Sequence, residues 1–225
     1  NQGLKASTGR YVIQLNPDVI VHEETFQHLV QFMDMNINVG ISTPRVLNRD
    51  GTLQRQCHRS FARPWDVISY FLYLDRLFPH SSFFGRYLMT YLAEDEIADV
   101  ESVSGSCMVV RRVLFEQIGF LDEQFYAYQE DSDFCFRAHN MGWRVVYYPK
   151  ASITHFGGMG GSLEQPFKAI FAWHKSYFLY YRKHLAKDYF FLVNWFMYLA
   201  MLMKLVFAYI RFVFSRRKAI GTYKP

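Results

Sequence analysis

Three carboxylates, Glu130, Asp131 and Asp133, fall within four positions between an aromatic run and a helical pattern. Phe134, Arg137, Ala138 and Met141 follow at helical spacing, and Gly142 reads as a stop. The acids therefore sit at or just before a helix start, where exposed backbone N–H groups and the helix dipole favour negative charge. One reading is an N-cap with dipole-matching carboxylates. The other rests on apolar crowding by Phe125, Tyr126, Tyr128, Phe134 and Phe136. A carboxylate that lines such a pocket, close to like charge, suits general-base work.

A second acid follows a strand pattern. Tyr11-Val12-Ile13-Gln14-Leu15 is a buried strand by its apolar run, and Asn16-Pro17-Asp18 ends it. Pro17 pushes Asn16 out of the helical region, so Asp18 stands at a strand's carboxyl end, where open α/β sheets place their ligand crevice. A plain Asn-Pro-Asp turn explains the same residues. His155 also ends a strand, beside the glycine-rich run Gly157-Gly158-Met159-Gly160-Gly161, which lacks Walker or Rossmann spacing and reads as a lid. A histidine there is either structural or a ligand.

These residues need elements to hold them. Glu23 to about Asp34 reads as a helix with Phe26, Leu29, Val30 and Met33 on one face. Val39 to Leu47 is extended, Asp50-Gly51 marks a hairpin turn, and Leu53 to Phe61 is the expected return strand. Its Arg55, His58 and Arg59, with Arg63 beyond it, read as a solvated edge, with phosphate contact as the functional alternative. Residues 65–92 are an aromatic helical insertion, packed on the core or dipped in lipid. Val103 to Val110 is a strand in which Gly105 permits close approach of a ligand. Val113 to Ile118 is a helix that Gly119 closes; two extended segments, Trp143 to Tyr148 and Ala151 to His155, follow. Phe167 to about His184 and Tyr189 to Phe214 are helices. The second has an uncharged run of only about 15 residues, short of a clean span. It reads as lying in a membrane interface, with Lys204 and Arg211 snorkelling and Arg216-Arg217-Lys218 on the cytoplasmic side; a tilted span and a packed soluble helix are the alternatives.

The 225 residues suffice for one domain with a real core. With 22 Phe and 16 Tyr, the aromatic load points to a membrane or lipid neighbour. A net charge of +5 suits phosphates or an anionic surface and argues against nucleic acid as partner. Cys57, Cys107 and Cys135 have no metal-ligand spacing and read as buried thiols in a reducing compartment.

The ordered set Asn16-Pro17-Asp18, Val103-Ser104-Gly105-Ser106, Phe120-Leu121-Asp122-Glu123, Tyr128-Gln129-Glu130-Asp131-Ser132-Asp133, Arg137, Gly142-Trp143-Arg144-Val145 and Thr154-His155-Phe156-Gly157-Gly158 resembles the C-terminal two-thirds of a family-2 glycosyltransferase of the rhamnosyltransferase-like branch. The resemblance implies an α/β, GT-A-like fold: a mixed, mostly parallel sheet flanked by helices. It places a partial catalytic domain at residues 1–165, with the N-terminal nucleotide-binding part missing, and membrane-associated helices at residues 166–225. It further implies an inverting transferase of hexosyltransferase type. A nucleotide-diphosphate sugar would be the donor and a lipid-linked or cell-surface glycan the acceptor, at the cytoplasmic face of a membrane. Asp131 matches the catalytic base, with Asp133 next and Glu130 positioning the acceptor. Asp18 and His155 match ligands for Mg²⁺ or Mn²⁺. Asn16, Asp18, Gly105, Ser106 and Trp143 match donor and acceptor contacts. The family's first acid at this metal element is Asn16 here, which leaves the site one negative charge poorer. The alternative is a non-catalytic or split-subunit membrane module built on the same fold.

Overall fold

The computed structural model describes residues 1–157 and 165–215. The glycines after Gly157, and Arg216-Arg217-Lys218, lie outside the described residues. The chain divides into two compact units, Asn1–Asp122 with Asp131–His155, and Glu123–Glu130 with Phe156–Pro225.

The first unit opens with α1 (Gln2–Ala6), β1 (Tyr11–Leu15), β2 (Val19–Val21), α2 (Thr25–Met35) and β3 (Val39–Leu47). It continues through β4 (His58–Arg59), α3 (Pro64–Phe71), α4 (Leu74–Leu77), β5 (Ala98–Asp99), β6 (Ser102–Val103), β7 (Cys107–Arg111) and α5 (Val113–Ile118). Helix α6 (Glu130–Asn140) and β8 (Arg144–His155) complete it. One sheet has the order β1-β7-β3-β8-β2, with β5 also on β8; β4 and β6 form a separate pair.

The expected α/β mixed sheet is present, but "mostly parallel" does not hold: of its pairings only β3–β8 is parallel, and β7 runs against both β1 and β3. β2 and β5 also join β8 antiparallel. Strand β3 is buried nearly throughout because β7 and β8 flank it. Helix α2 places Leu29, Phe32 and Met33 against Val39, Val109, Val146 and Ala151. Burying side chains of this size stabilises by about 1.5–3 kcal/mol each. Phe32 stacks on Tyr148 with ring centroids 4.4 Å apart. Arg111 of β7 donates to the carbonyls of Met33 and Asn36, which the end of α2 leaves open, and to that of Val39 at the start of β3.

The register fixes where the chemistry sits. Leu15 lies opposite Cys107, Leu47 opposite Thr154, and Val19 opposite His155. The carboxyl ends of β1, β3 and β8 therefore gather at one end of the sheet, with the start of β7.

Several local expectations change. Residues 53–61 are not one return strand: Leu53 makes a single bridge to Leu47, a 3₁₀ turn covers Arg55–Cys57, and only His58–Arg59 is extended. The Val103–Val110 strand breaks at Ser104–Ser106, because Ser104 N–H bonds the Cys57 carbonyl while Asp131 takes the Gly105 N–H. Conversely, Trp143–Tyr148 and Ala151–His155 are joined in one strand, β8, with a register shift where Pro44/Arg45 face Tyr148/Ser152. Gly119 closes α5 at φ +75°, a conformation that favours glycine. The three cysteines are free and buried.

In the second unit, α7 (Pro166–Tyr180) passes through a π-helical turn (Tyr181–Leu185) and a 3₁₀ turn (Ala186–Asp188) to α8 (Phe191–Ser215). Asn194 ties that corner together: its amide donates to the Ala186 and Tyr189 carbonyls and its oxygen accepts from Tyr181 Oη at 2.7 Å. Helix α8 is long and apolar enough to cross a membrane, and most of its large apolar side chains are exposed. Lys204 has a partner on the neighbouring helix. Its ammonium sits 3.6 Å from the centroid of Trp173 on α7, where the ring face attracts a cation.

Candidate active site

The end of β1 leads into the site. Asn16 N–H donates to the Ser106 carbonyl (3.1 Å), which locks the Asn-Pro-Asp turn to the start of β7. Asp18 then stands beside His155, because β2 starts opposite the last residue of β8. Asp18 Oδ1 is 3.2 Å from His155 Nε2, and both side chains are largely buried. Asn16 Nδ2 is also 3.2 Å from that nitrogen. The other ring nitrogen, Nδ1, meets Gln54 Oε1 at 2.8 Å.

This pair tests the expected metal. Gln54 Oε1 can only accept, so Nδ1 carries a proton; with that as the ring's one proton, Nε2 presents a lone pair. A carboxylate oxygen 3.2 Å from that lone pair is repelled unless a proton or a metal cation lies against both. Oxygen and imidazole nitrogen are donors a divalent ion accepts. No cluster of three His, Cys, Asp or Glu is present among the described residues, so these two would supply the protein's share of the coordination. Hard divalent ions of this kind routinely take their remaining ligands from substrate phosphates and water.

One residue along from Ser106 the backbone reaches the acids. Gly105 N–H donates to Asp131 Oδ2 at 3.0 Å. Asp131 Oδ1 accepts from Arg59 Nη2 (2.9 Å) and from Ser132 N–H (2.7 Å). Arg59 also donates to Ser132 Oγ (2.9 Å) and the Gln56 carbonyl (3.1 Å), and Ser102 donates to Ser132 (3.1 Å). The hydrogen-bond partners of this carboxylate thus include a guanidinium and two backbone N–H groups, which the sequence did not disclose. The helix-start reading holds as well, since Asp131 is the second residue of α6 and accepts the N–H of the third.

The structure brings together Asn16, Asp18, Gly105, Ser106, Asp131 and His155. Ser106 Oγ is buried and has no hydrogen-bond partner among the described residues, so a ligand hydroxyl would satisfy it. Glu130 opens α6, immediately before Asp131. Asp133 goes elsewhere. It is fully buried, 2.9 Å from Arg137 Nε, and Arg137 binds the Ile118 and Phe120 carbonyls, so this acid ties α6 to the end of α5. Trp143 is also apart. It precedes β8, at the opposite end from His155, and donates to Gln117 Oε1 at 2.7 Å. A twelve-residue strand separates the two, so Trp143 does not join the donor and acceptor contacts.

Arg59 is the residue that sequence reasoning misread. The expected solvated edge is a buried guanidinium: the two-residue pairing of β4 with β6 sets Arg59 opposite Ser102 and beside Asp131. His58 next to it is buried too. Burial and the Arg55 charge lower its pKa to about 4, so it is neutral at physiological pH. Of the other basic residues, Arg63 binds Glu101 and Arg55 binds Glu94.

A carboxylate held by donors is joined through Gly105, Ser106 and Asn16 to a carboxylate–imidazole pair at the carboxyl ends of an α/β sheet. The glycosyltransferase-like family 2 model matches residues 1–176, and the chain belongs to that family. It is 31% identical over 127 residues to the low-salt glycan biosynthesis hexosyltransferase Agl10 of Haloferax volcanii, which covers 56% of this chain and 36% of that protein. It is 37% identical over 78 residues to the N-acetylglucosaminyl-diphospho-decaprenol L-rhamnosyltransferase of Mycobacterium tuberculosis, over 35% of this chain and 25% of that one. The matches thus span about a third and a quarter of those curated relatives. A more distant likeness, at TM-score 0.47 and 14% identity over 71% of this chain and 30% of the other, is to GalNAc-T7 solved with UDP, GalNAc and Mn²⁺.

Proposed function

We propose that the protein is an inverting glycosyltransferase that moves a sugar, with rhamnose the leading candidate, from a nucleotide-diphosphate donor to a lipid-linked or cell-surface glycan. The observation that carries this reading is the path Asp131–Gly105–Ser106–Asn16–His155–Asp18, which joins a candidate base to a candidate cation pair at one end of one sheet. Asp131 Oδ2, which accepts the Gly105 N–H, takes the acceptor's hydroxyl proton. The acceptor oxygen bonds to the anomeric carbon from the face opposite the diphosphate. The carbon–oxygen bond to the diphosphate breaks, and its electron pair leaves with the nucleoside diphosphate. Asp18 and His155 would hold Mg²⁺ or Mn²⁺, whose charge offsets that of the leaving group. Ser106 Oγ would take a sugar hydroxyl.

A membrane surface is the proposed working place, on its cytoplasmic face. Helix α8 exposes Trp195, Phe196, Leu199, Met203, Phe207 and Ile210. In the first unit, Phe71, Leu72, Tyr73, Leu77, Phe78 and Phe83 are exposed on and after α3 and α4. Both acids of that segment, Asp66 and Asp75, are buried, while Arg76 and Arg86 are exposed. Exposed aromatics with exposed cations suit an anionic lipid surface.

The test is an assay of the protein with a panel of nucleotide-diphosphate sugars and a lipid-linked glycan acceptor. Release of nucleoside diphosphate and a gain of one sugar on the acceptor, both requiring the acceptor, support the reading. Donor binding without release under any acceptor would favour the non-catalytic module instead.

A further inference from the structure

The Asp-Gly hairpin turn sends a hydrogen-bond chain into the site, and its direction is fixed at the outer end. Asp50 Oδ1 accepts from Thr52 twice, from the hydroxyl at 2.6 Å and the N–H at 2.9 Å. These bonds hold the Asp50 carboxyl below its ordinary range, so it is an anion at neutral pH. The Thr52 hydroxyl has then used its only hydrogen, and its oxygen accepts from Asn48 Nδ2 at 3.0 Å. The Leu53 carbonyl, also an obligate acceptor, is 3.5 Å from the same amide nitrogen. Asn48 Oδ1 therefore points inward and accepts from Gln54 Nε2 at 3.2 Å. Gln54 Oε1 is left to accept from His155 Nδ1 at 2.8 Å. Reversing either amide would set donor against donor or acceptor against acceptor.

The backbone holds the frame. Gly51 N–H bonds the Asn48 carbonyl, Asn48 N–H bonds the Thr52 carbonyl, and Gln54 N–H bonds the Val46 carbonyl. Gly51 sits at φ +83°, where a side chain would strain the turn.

We propose that Gln54, oriented by Asn48, Thr52 and Asp50, is a positioning residue that keeps the His155 proton on Nδ1, and so leaves at Nε2, which Asn16 Nδ2 and Asp18 Oδ1 both face at 3.2 Å, a lone pair that forms one half of a divalent-cation site with Asp18. This deepens the proposed reading of Asp18 and His155 and rests on it. Outer-sphere partners of ligating histidines act in this way, fixing tautomer and ring orientation. The turn at residues 48–52 is thereby coupled to a site that none of its own side chains reaches directly.

The experiment uses the whole chain and Mn²⁺ alone as the probe, with free Mn²⁺ followed by electron paramagnetic resonance. The His155 tautomer is read by long-range ¹H–¹⁵N spectra of the metal-free protein, assigned with His155→Gln. Gln54→Glu keeps an acceptor on Nδ1, and it should keep the Nδ1–H tautomer and Mn²⁺ binding. Gln54→Lys places a donor there. It should shift the proton to Nε2 and weaken Mn²⁺ binding by about 10- to 100-fold. Asp18→Asn should weaken binding with the tautomer unchanged. If Gln54→Lys binds Mn²⁺ as the parent does while Asp18→Asn does not, the positioning role is overturned and the cation pair stands. If Asp18→Asn also binds unchanged, the cation reading falls, and this proposal with it. The spectra keep the test decisive if Gln54→Lys is unstable, because an Nε2–H tautomer in the parent overturns the proposal by itself.

Discussion

Arg59 Nη2 lies 2.9 Å from Asp131 Oδ1, a buried ion pair between residues 72 apart in the chain. The same nitrogen reaches Ser132 Oγ, so the guanidinium bridges the first turn of α6. With Oδ1 held by Arg59 and Ser132 N–H, the carboxylate cannot rotate freely, and Oδ2 is the oxygen left facing the Ser104–Ser106 turn.

Arg59→Met leaves Asp131 buried without its cation. Breaking such a pair costs about 3–5 kcal/mol, so thermal unfolding should show a large loss of stability. Arg59→Lys retains charge but loses the planar fork that serves two acceptors. It should fold and show reduced kcat with a donor KM close to that of the parent. A Lys variant with unchanged kcat would show that the pair is structural only.

Asp133 separates position in the motif from position in the site. Asp133→Asn removes the charge that holds Arg137 at the end of α5, at a cost of about 3–5 kcal/mol. For a chain of this size each kcal/mol lowers Tm by about 2–4 °C. The variant should melt roughly 6–20 °C lower, yet turn over substrate while folded. Loss of turnover at full stability would return Asp133 to the active site.

Glu101 gives a pH-dependent test. Burial pushes its carboxyl up, but hydrogen bonds from Arg63 and the Phe61 N–H, with the charges of Arg63 and Arg86, outweigh burial and hold it below its ordinary value of 4.5. A carboxyl lowered in the folded state adds stability that is fully present above the unfolded pKa and is lost as pH falls through the folded pKa. Glu101→Gln should therefore be less stable than the parent at pH 7, on the order of 2 kcal/mol, with the gap narrowing as pH falls below the ordinary carboxyl value. Melting curves at pH 7 and pH 3.5 check this. An equal gap at both pH values contradicts it.

The exposed face of α8 makes a separate prediction. Trp195→Ser with Phe207→Ser removes two large apolar side chains from that face without touching the Lys204–Trp173 contact. Co-sedimentation with anionic vesicles should fall several-fold; full retention would assign lipid binding, if any, to other surfaces.

Much of this site is legible in the chain because its signals are local. The strand into Asn16-Pro17-Asp18, the helix α2 and the strand ending in His155 need only periodicity and turn chemistry, and all three elements are in place. However, β1 is a half-buried edge strand and not the buried one expected, and α2 buries Phe32 with Leu29 and Met33 while Phe26 and Val30 are only partly covered. Arg59 was not legible. Its strand is two residues long, and the charges around it fit a wet edge equally well; only the pairing of β4 with β6 reveals burial. Trp143 is the reverse case: adjacent to a familiar motif, yet carried to the far end by the twelve-residue β8. Lys204 shows the same limit. Helical spacing places it on a face but does not disclose Trp173 of the neighbouring helix.

The most direct measurement compares Asp131→Asn with the parent for donor binding and for single-turnover transfer. Asparagine keeps the shape and an acceptor oxygen but cannot take the acceptor's proton. Donor affinity should stay within a fewfold of the parent, and transfer should slow by about 10²–10⁴-fold. Transfer at near-parental rate would contradict it, and the base would then have to be sought outside Asp131.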